Sequence, residues 1–183
     1  MIKSVAVYLG SATVAERYHR LAYDFGHGLA ERGIRVVYGG AAVGTMQSLS
    51  EGVLDAGGEI MGVFPRGFRG KREVAARGIN IEQKDATSIV EVEDFAERKK
   101  LMTAMSDCCV ILPGGFGTLD ELFCHAVGNE IGEHDKKAYV LNEGGFYDGL
   151  RQQMETMRSE SFLGRDYSII TFLDSKEDFF ALL

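Results

Sequence analysis

Cys108-Cys109-Val110-Ile111-Leu112-Pro113-Gly114-Gly115-Phe116-Gly117-Thr118-Leu119-Asp120-Glu121 reads as a short apolar strand, a turn of proline and glycine, and the entry to a helix running from Leu119 to Ile131. The strand shows no alternation of apolar and polar residues, so both of its faces are covered. That is the mark of a parallel sheet whose crossover helices pack on either side.

The same strand-turn-helix unit recurs outward from this stretch. Upstream lie a strand at Ser88 to Val92 and a helix at Phe95 to Met105. Nearer the N-terminus, Val5 to Leu9 ends at Gly10-Ser11 and leads into a helix with Leu21, Phe25, Leu29 and Ala30 on one side, closed by Gly33. Ile34 to Tyr38 ends at Gly39-Gly40 and leads into a helix over Met46 to Ala56, and Glu59 to Phe64 is a third strand stopped by Pro65. Downstream, Tyr139 to Leu141 is a strand, Tyr147 to Met157 a helix, Ile169 to Phe172 an edge strand and Glu177 to Leu183 a terminal helix. Residues 66 to 87 are polar and rich in Arg and Lys, and they take no assignment. Short apolar strands alternating with helices predict an α/β fold, a three-layer sandwich with a central parallel sheet and helices on both faces.

Composition sets the limits around that fold. At 183 residues the chain is expected to form one domain, with no disulfide or metal needed to support its core. Twenty basic against 27 acidic side chains leave a net charge of −7, which argues against nucleic acid as a partner. The longest apolar runs are too short for a membrane helix or a signal-peptide core, so a cytoplasmic location and no membrane partner are expected. The three cysteines, two of them adjacent, suit reduced and mostly buried thiols. Glycine, at 23 residues, is nearly double its usual share of about 7%.

Where the glycines fall points to function. Ligands of such sheets bind outside the carboxyl ends of the strands, where each strand turns into its helix. Gly10-Ser11, Gly39-Gly40 with Gly44, and Gly114-Gly115 with Gly117 all follow strands directly, so three turns should line one edge. Any single turn of this kind can need glycine for backbone geometry alone; three on one edge suggest a ligand. After Leu112, the bare backbone and the helix start behind it suit a phosphate. The Lys-Ser/Thr pair of a P-loop is missing, and Asp120 stands where a dinucleotide G-x-G-x-x-G signature has its third glycine. Glu121 is expected in the first turn of the helix, and Arg98, in the first turns of the preceding one, begins at the same edge and can reach the space before it.

The string Pro113-Gly114-Gly115-Phe116-Gly117-Thr118-Leu119-Asp120-Glu121, with Arg98-Lys99 upstream and Tyr38-Gly39-Gly40 further back, resembles the P-G-G-x-G-T-x-x-E motif of the LOG ("Lonely Guy") family of Rossmann-like proteins. The resemblance runs from Val5 to about Leu150 and takes in Gly10-Ser11, Gly62-Val63-Phe64-Pro65 and Leu141-Asn142. It implies a phosphoribohydrolase that cleaves the N-glycosidic bond of a nucleoside 5′-monophosphate, cytokinin nucleotides or AMP, to free base and ribose 5-phosphate. By the same resemblance Arg98 and Glu121 are catalytic, Lys99 helps hold the nucleotide, and Gly115, Gly117 and Thr118 bind its phosphate, with Gly114, Gly10, Ser11, Gly40 and Gly44 completing the substrate-binding set. The chemistry agrees, because a carboxylate stabilises the positive charge that develops on the ribose and a guanidinium the charge on the departing base. No metal or organic cofactor is implied. A homodimer is, with Leu122, Phe123 and Ala126 as apolar candidate contacts.

This chain has Phe95-Ala96 where the family often has Met-His, Cys124 where it often has an acid, and Val127-Gly128 where it often has Thr-Trp. Those positions lie on the base side, so the preferred base stays open. Relatives have been labelled lysine decarboxylases, but no lysine environment for pyridoxal phosphate is recognisable. His19, His27, His125 and His134 have no partner at metal-ligand spacing and read as structural. The alternative to a hydrolase is a protein that senses a nucleotide in the same cleft without turning it over. Both need the glycine loop, and only the enzyme needs Arg98 and Glu121 together.

Overall fold

A computed structural model of the chain describes residues 1–66, 88–163 and 168–183, so all but the first residue of the unassigned stretch lies outside the described residues. The elements are β1 (Ser4–Tyr8), α1 (Glu16–Glu31), β2 (Arg35–Tyr38), α2 (Gly44–Asp55), β3 (Ile60–Pro65), β4 (Ser88–Val92), α3 (Phe95–Ala104), β5 (Cys108–Ile111), α4 (Phe116–Glu130), β6 (Ala138–Leu141), α5 (Asp148–Ser159), β7 (Ile170–Leu173) and α6 (Lys176–Phe180). The seven strands form one sheet in the order β4-β3-β2-β1-β5-β6-β7. Every neighbouring pair is parallel, as the apolar strands require.

The central strands sort their side chains by alternation. Val5, Val7 and Leu9 of the β1 segment, with Cys108, Val110 and Leu112 of the β5 segment, pack beneath Phe25 and Leu29 of α1, Leu49 and Val53 of α2, and Phe179 of α6. Ala6, Tyr8, Cys109 and Ile111 face the other way, against Met102 of α3, Leu122 and Ala126 of α4, and Met154 of α5. The two cores give the three layers. They also remove Leu122 and Ala126 from the candidate dimer contacts, since both are buried inside their own chain.

Several boundaries differ from the sequence reading. The helix expected from Leu119 begins at Phe116, so Gly117 and Thr118 form its first turn and Glu121 falls in its second turn rather than its first. Pro65 is the last residue of β3 rather than its stop, opposite Val92. Cys108 and Cys109 are buried, whereas Cys124 is exposed.

Strand order positions the site. From β1 the chain adds β2, β3 and β4 on one side, then crosses to place β5, β6 and β7 on the other. The reversal lies between β1 and β5, where the crossovers diverge and leave a crevice beyond the strand ends.

Candidate active site

At the reversal the loops touch. The Gly10 N–H, just past β1, donates to the Pro113 carbonyl at 3.3 Å, and Thr45 Oγ1 of α2 donates to the Gly10 carbonyl at 2.7 Å. The turns after β1, β2, β3 and β5 enclose a cleft of about 610 Å³. Its walls include Gly10, Ser11, Gly39, Met46, Phe64, Phe95, Arg98, Gly115, Phe116, Gly117, Thr118 and Glu121.

One end suits an anion. Gly115 is the residue before α4, no side chain caps that helix, and no acidic residue occupies its first turn. The N-terminal amides and the positive end of the helix dipole therefore face outward without a competing group. Among the described residues a Cβ on Gly115 or Gly117 would meet nothing within 4 Å, and neither residue has a positive φ. Neither packing against the described residues nor backbone geometry calls for glycine there, which leaves room for a ligand above the helix start. Gly114 differs: its Cβ would fall 2.1 Å from Thr118 Oγ1, so its bareness seats buried Thr118.

The charged pair comes from two helix starts. Asp94 caps α3 by accepting from the Glu97 N–H at 2.8 Å, and Glu97 returns a carboxylate oxygen to the Glu93 N–H at 2.6 Å. So started, α3 buries Arg98 and Met102, four apart on one face, while α4 buries Thr118, Glu121, Leu122 and His125. Arg98 Nη2 lies 3.3 Å from Glu121 Oε1, with the two residues only 9% and 7% exposed. Burial pushes the Glu121 carboxyl up to about 7; Arg98 opposes that, neighbouring Asp120 adds to it, and Lys99 opposes it weakly. Desolvation wins even against a guanidinium in contact. Arg98 Nε is sealed from solvent and has no hydrogen-bond partner among the described residues, so a donor beside the carboxyl is left over there. The guanidinium also lies over the Phe95 ring, 5.7 Å from its centre.

The structure thus brings together Gly10, Ser11, Gly115, Gly117, Thr118, Arg98 and Glu121 on one cleft. Gly40 and Gly44 are not among its lining residues; each has a positive φ, +76° and +55°. Lys99 is turned away. Its Nζ donates to Asp120 Oδ2 at 2.7 Å and to Cys124 Sγ at 3.1 Å, on the wall of a second cavity of about 670 Å³ between α3 and α4. Consecutive helix residues point about 100° apart, and here Arg98 faces the cleft while Lys99 faces the second cavity, whose wall Glu121 also joins. The 100° step was a signal available in the sequence.

Met46 lines the cleft without any expectation from the sequence; Gly39, Phe64 and Phe95, expected at the ligand edge, within the resemblance and on the base side but given no role, line it too. Phe64 and Phe95 stand at the end of a strand and the start of a helix, positions that a parallel sheet places on the ligand edge. The histidines are structural where bonded: His125 Nε2 lies 3.0 Å from the Lys136 carbonyl, with its imidazole pushed down to about 4 by burial, and His19 Nδ1 lies 2.9 Å from Ser48 Oγ. Among the described residues no group of three or more His, Cys, Asp or Glu is placed to hold a metal ion.

Comparison with known proteins fits this geometry. A family model described as possible lysine decarboxylase matches residues 46–183. A cytokinin riboside 5′-monophosphate phosphoribohydrolase of Rhodococcoides fascians is 35% identical over 162 residues, 88% of this chain and 78% of that protein. LOG5 of Arabidopsis thaliana, of the same name, is 34% identical over 162 residues, 88% of this chain and 68% of that protein. Among solved structures, a molybdenum cofactor binding protein from Rippkaea orientalis superposes with a TM-score of 0.72 at 18% identity, covering 100% of this chain and 95% of that one. The molybdenum cofactor carrier protein of Chlamydomonas reinhardtii gives 0.70 at 18% identity, covering 100% and 96%. At that identity the structural likeness establishes the Rossmann-like fold alone. The family model and the relatives in sequence go further: this chain belongs to the LOG family of phosphoribohydrolases.

Proposed function

We propose that the chain hydrolyses the N-glycosidic bond of a purine nucleoside 5′-monophosphate, AMP or a cytokinin-type nucleotide, to free base and ribose 5-phosphate. The observation that carries this reading is the buried Arg98–Glu121 pair on the same cleft as the uncapped start of α4. Hydrolysis of that bond is the activity named for its relatives.

The phosphate sits on the amides of the first turn of α4, with Gly115 and Gly117 admitting it. That anchor sets the ribose before Glu121, whose ionised carboxylate stabilises positive charge at C1′ and orients the attacking water. As the C1′–N bond breaks, its electrons pass to the base, where Arg98 stabilises them; water supplies hydroxyl to C1′ and a proton to the base. With its carboxyl pushed up to about 7, Glu121 is ionised in only part of the population at neutral pH, so base release rises as pH passes through about 7. No step calls on a metal or cofactor.

The same reading makes the enzyme a cytoplasmic homodimer. Phe123 and Val127 of α4 and Ile131 just past its end, at four-residue spacing, are 39%, 51% and 66% exposed and form the apolar stripe that Leu122 and Ala126 do not. Light scattering of the purified protein, with Val127→Glu as the disrupting variant, tests the assembly.

The deciding experiment is chromatography of free base after incubation with AMP, other nucleoside monophosphates and isopentenyl-AMP, run beside Glu121→Gln and Arg98→Ala. Base release that both variants lose supports the hydrolase and reports the preferred base. Nucleotide binding without release from any substrate gives the cleft a sensing role instead.

A further inference from the structure

Gly39 and Gly40 are adjacent, but only Gly40 has a backbone reason to be glycine. Its φ is +76°, whereas Gly39 is absent from the positive-φ residues. What a side chain on Gly39 would meet is specific. A Cβ there would lie 2.0 Å from Arg98 Nη2 and 3.1 Å from Arg98 Cζ, with the flexible end of Met46 next at 3.2 Å. Nη2 is the same nitrogen that lies 3.3 Å from Glu121 Oε1.

We propose that Gly39 is a positioning residue for the hydrolysis: the notch at the end of β2 left by its missing side chain is the seat of the Arg98 guanidinium and aims it at Glu121. The inference rests on the reading of Arg98 and Glu121 as the catalytic pair. Arg98 is buried, so its guanidinium cannot retreat into solvent without leaving the carboxylate. A methyl group in the notch occupies the space of the pairing nitrogen and drives the fork toward the open cleft. Glu121 then keeps its burial and its neighbour Asp120 while losing its strongest opposing charge. Besides Arg98, the groups acting on that carboxyl are Asp120 and Lys99 of the two helices, with Tyr8 of β1 and Cys109 of β5 close enough to feel its charge.

The test is a double-variant cycle on Gly39→Ala, Arg98→Ala and their combination, each read three ways. Base release is one readout. Gly39→Ala should lower kcat by roughly 30- to 100-fold, the scale set by misplacing a catalytic group by about an ångström. In the Arg98→Ala background it should cost less than about 2-fold. The second readout is the Glu121 carboxyl titration by carbon NMR, assigned with Glu121→Gln. Gly39→Ala should move its midpoint upward by about 0.5 to 1 pH, and should leave it in place once Arg98 is gone. The third is the melting temperature, which Gly39→Ala lowers and the added Arg98→Ala restores by emptying the notch. If Gly39→Ala fails to fold alone, recovery of folding in the combined variant carries the same information.

A Gly39→Ala protein with unchanged kcat and an unchanged Glu121 titration overturns the proposal. So does an equal loss in both backgrounds, which assigns Gly39 a role independent of Arg98. A wild-type chain that releases no base overturns the hydrolase reading instead, and the NMR and melting cycles still decide whether Gly39 seats Arg98.

Discussion

Two hollows of similar size open at opposite ends of the same sheet, and each has a carboxylate at its rim. The cleft beyond the carboxyl ends of the strands holds Glu121; the one at the amino ends, about 730 Å³ against about 610 Å³, holds Asp107. Volume favours the wrong end. The carboxylates tell them apart. Asp107 Oδ2 accepts from the Lys3 N–H at 2.7 Å, the Ser4 N–H at 2.9 Å and Ser4 Oγ at 3.2 Å, and these bonds hold its carboxyl below the ordinary aspartate value. Its charge is consumed in tying β1 to the residue before β5. Glu121 has been taken out of water with Arg98 in contact, Lys99 acting weakly and, among the described residues, no such bonds, and its carboxyl is pushed up to about 7. A neighbouring arginine nitrogen without a partner occurs at both ends, Arg35 Nε and Arg98 Nε, so that feature does not separate them. A satisfied carboxylate stabilises a fold, and a desolvated, under-bonded one is available for chemistry.

The sharpest way to break this contrast is to neutralise both carboxylates. Glu121→Gln should lower kcat by about 10²- to 10³-fold, the size expected for one preorganised electrostatic group, with little loss of nucleotide affinity. Asp107→Asn should leave kcat alone and lower stability by about 1 kcal/mol, or roughly 2–4 °C in melting temperature. Because the folded Asp107 pKa is depressed, its contribution is present above the unfolded aspartate value and is lost as pH falls through the folded one. The difference between Asp107→Asn and wild type should therefore fade in acid. A loss of activity with Asp107→Asn would show that the amino-end hollow matters to turnover.

Within the glycine turn before and into α4, the proposed phosphate seat, a smaller effect sharpens the same division between fold and ligand. Gly114→Ala places its Cβ against buried Thr118 and should destabilise by about 1–3 kcal/mol. Gly117→Ala meets nothing among the described residues, so its melting temperature should match wild type while KM for the nucleotide rises about 10-fold. Equal melting losses for both would remove the case for a ligand above Gly117.

The smallest expected effect concerns the charges behind Glu121. Lys99 lowers the Glu121 pKa from outside the cleft, so Lys99→Ala should move the rise of activity to higher pH by a few tenths, with KM nearly unchanged. A large rise in KM instead would mean that Lys99 swings from Asp120 and Cys124 to hold the nucleotide.

Much of this was legible in the chain. Cys108 to Leu112 announced a strand covered on both faces, and the Pro113–Glu121 string announced a glycine turn at a helix start, because both signals are local. The same loop hid its own boundary: α4 starts at Phe116, since glycine at 117 weakens a helical pattern read from propensity. Lys99 enters the expected site through the family resemblance, and the helix turns its side chain to Asp120 while Arg98 meets Glu121. Gly39 was grouped with Gly40 as a turn signal, although its neighbour proved to be a guanidinium from an element about 60 residues away.

By itself, then, the amino-acid sequence determined the alternation of strands and helices, the parallel sheet and the presence of a glycine-rich turn at a helix start, because propensity, periodicity and glycine placement act over a few residues. Only the tertiary structure decided the strand order, the placing of β1 beside β5, the burial of Glu121 with Arg98 and the turning away of Lys99. Those depend on which distant surfaces share a core and on how much water the packing removes from a carboxylate, and neither quantity is written in any local stretch of chain.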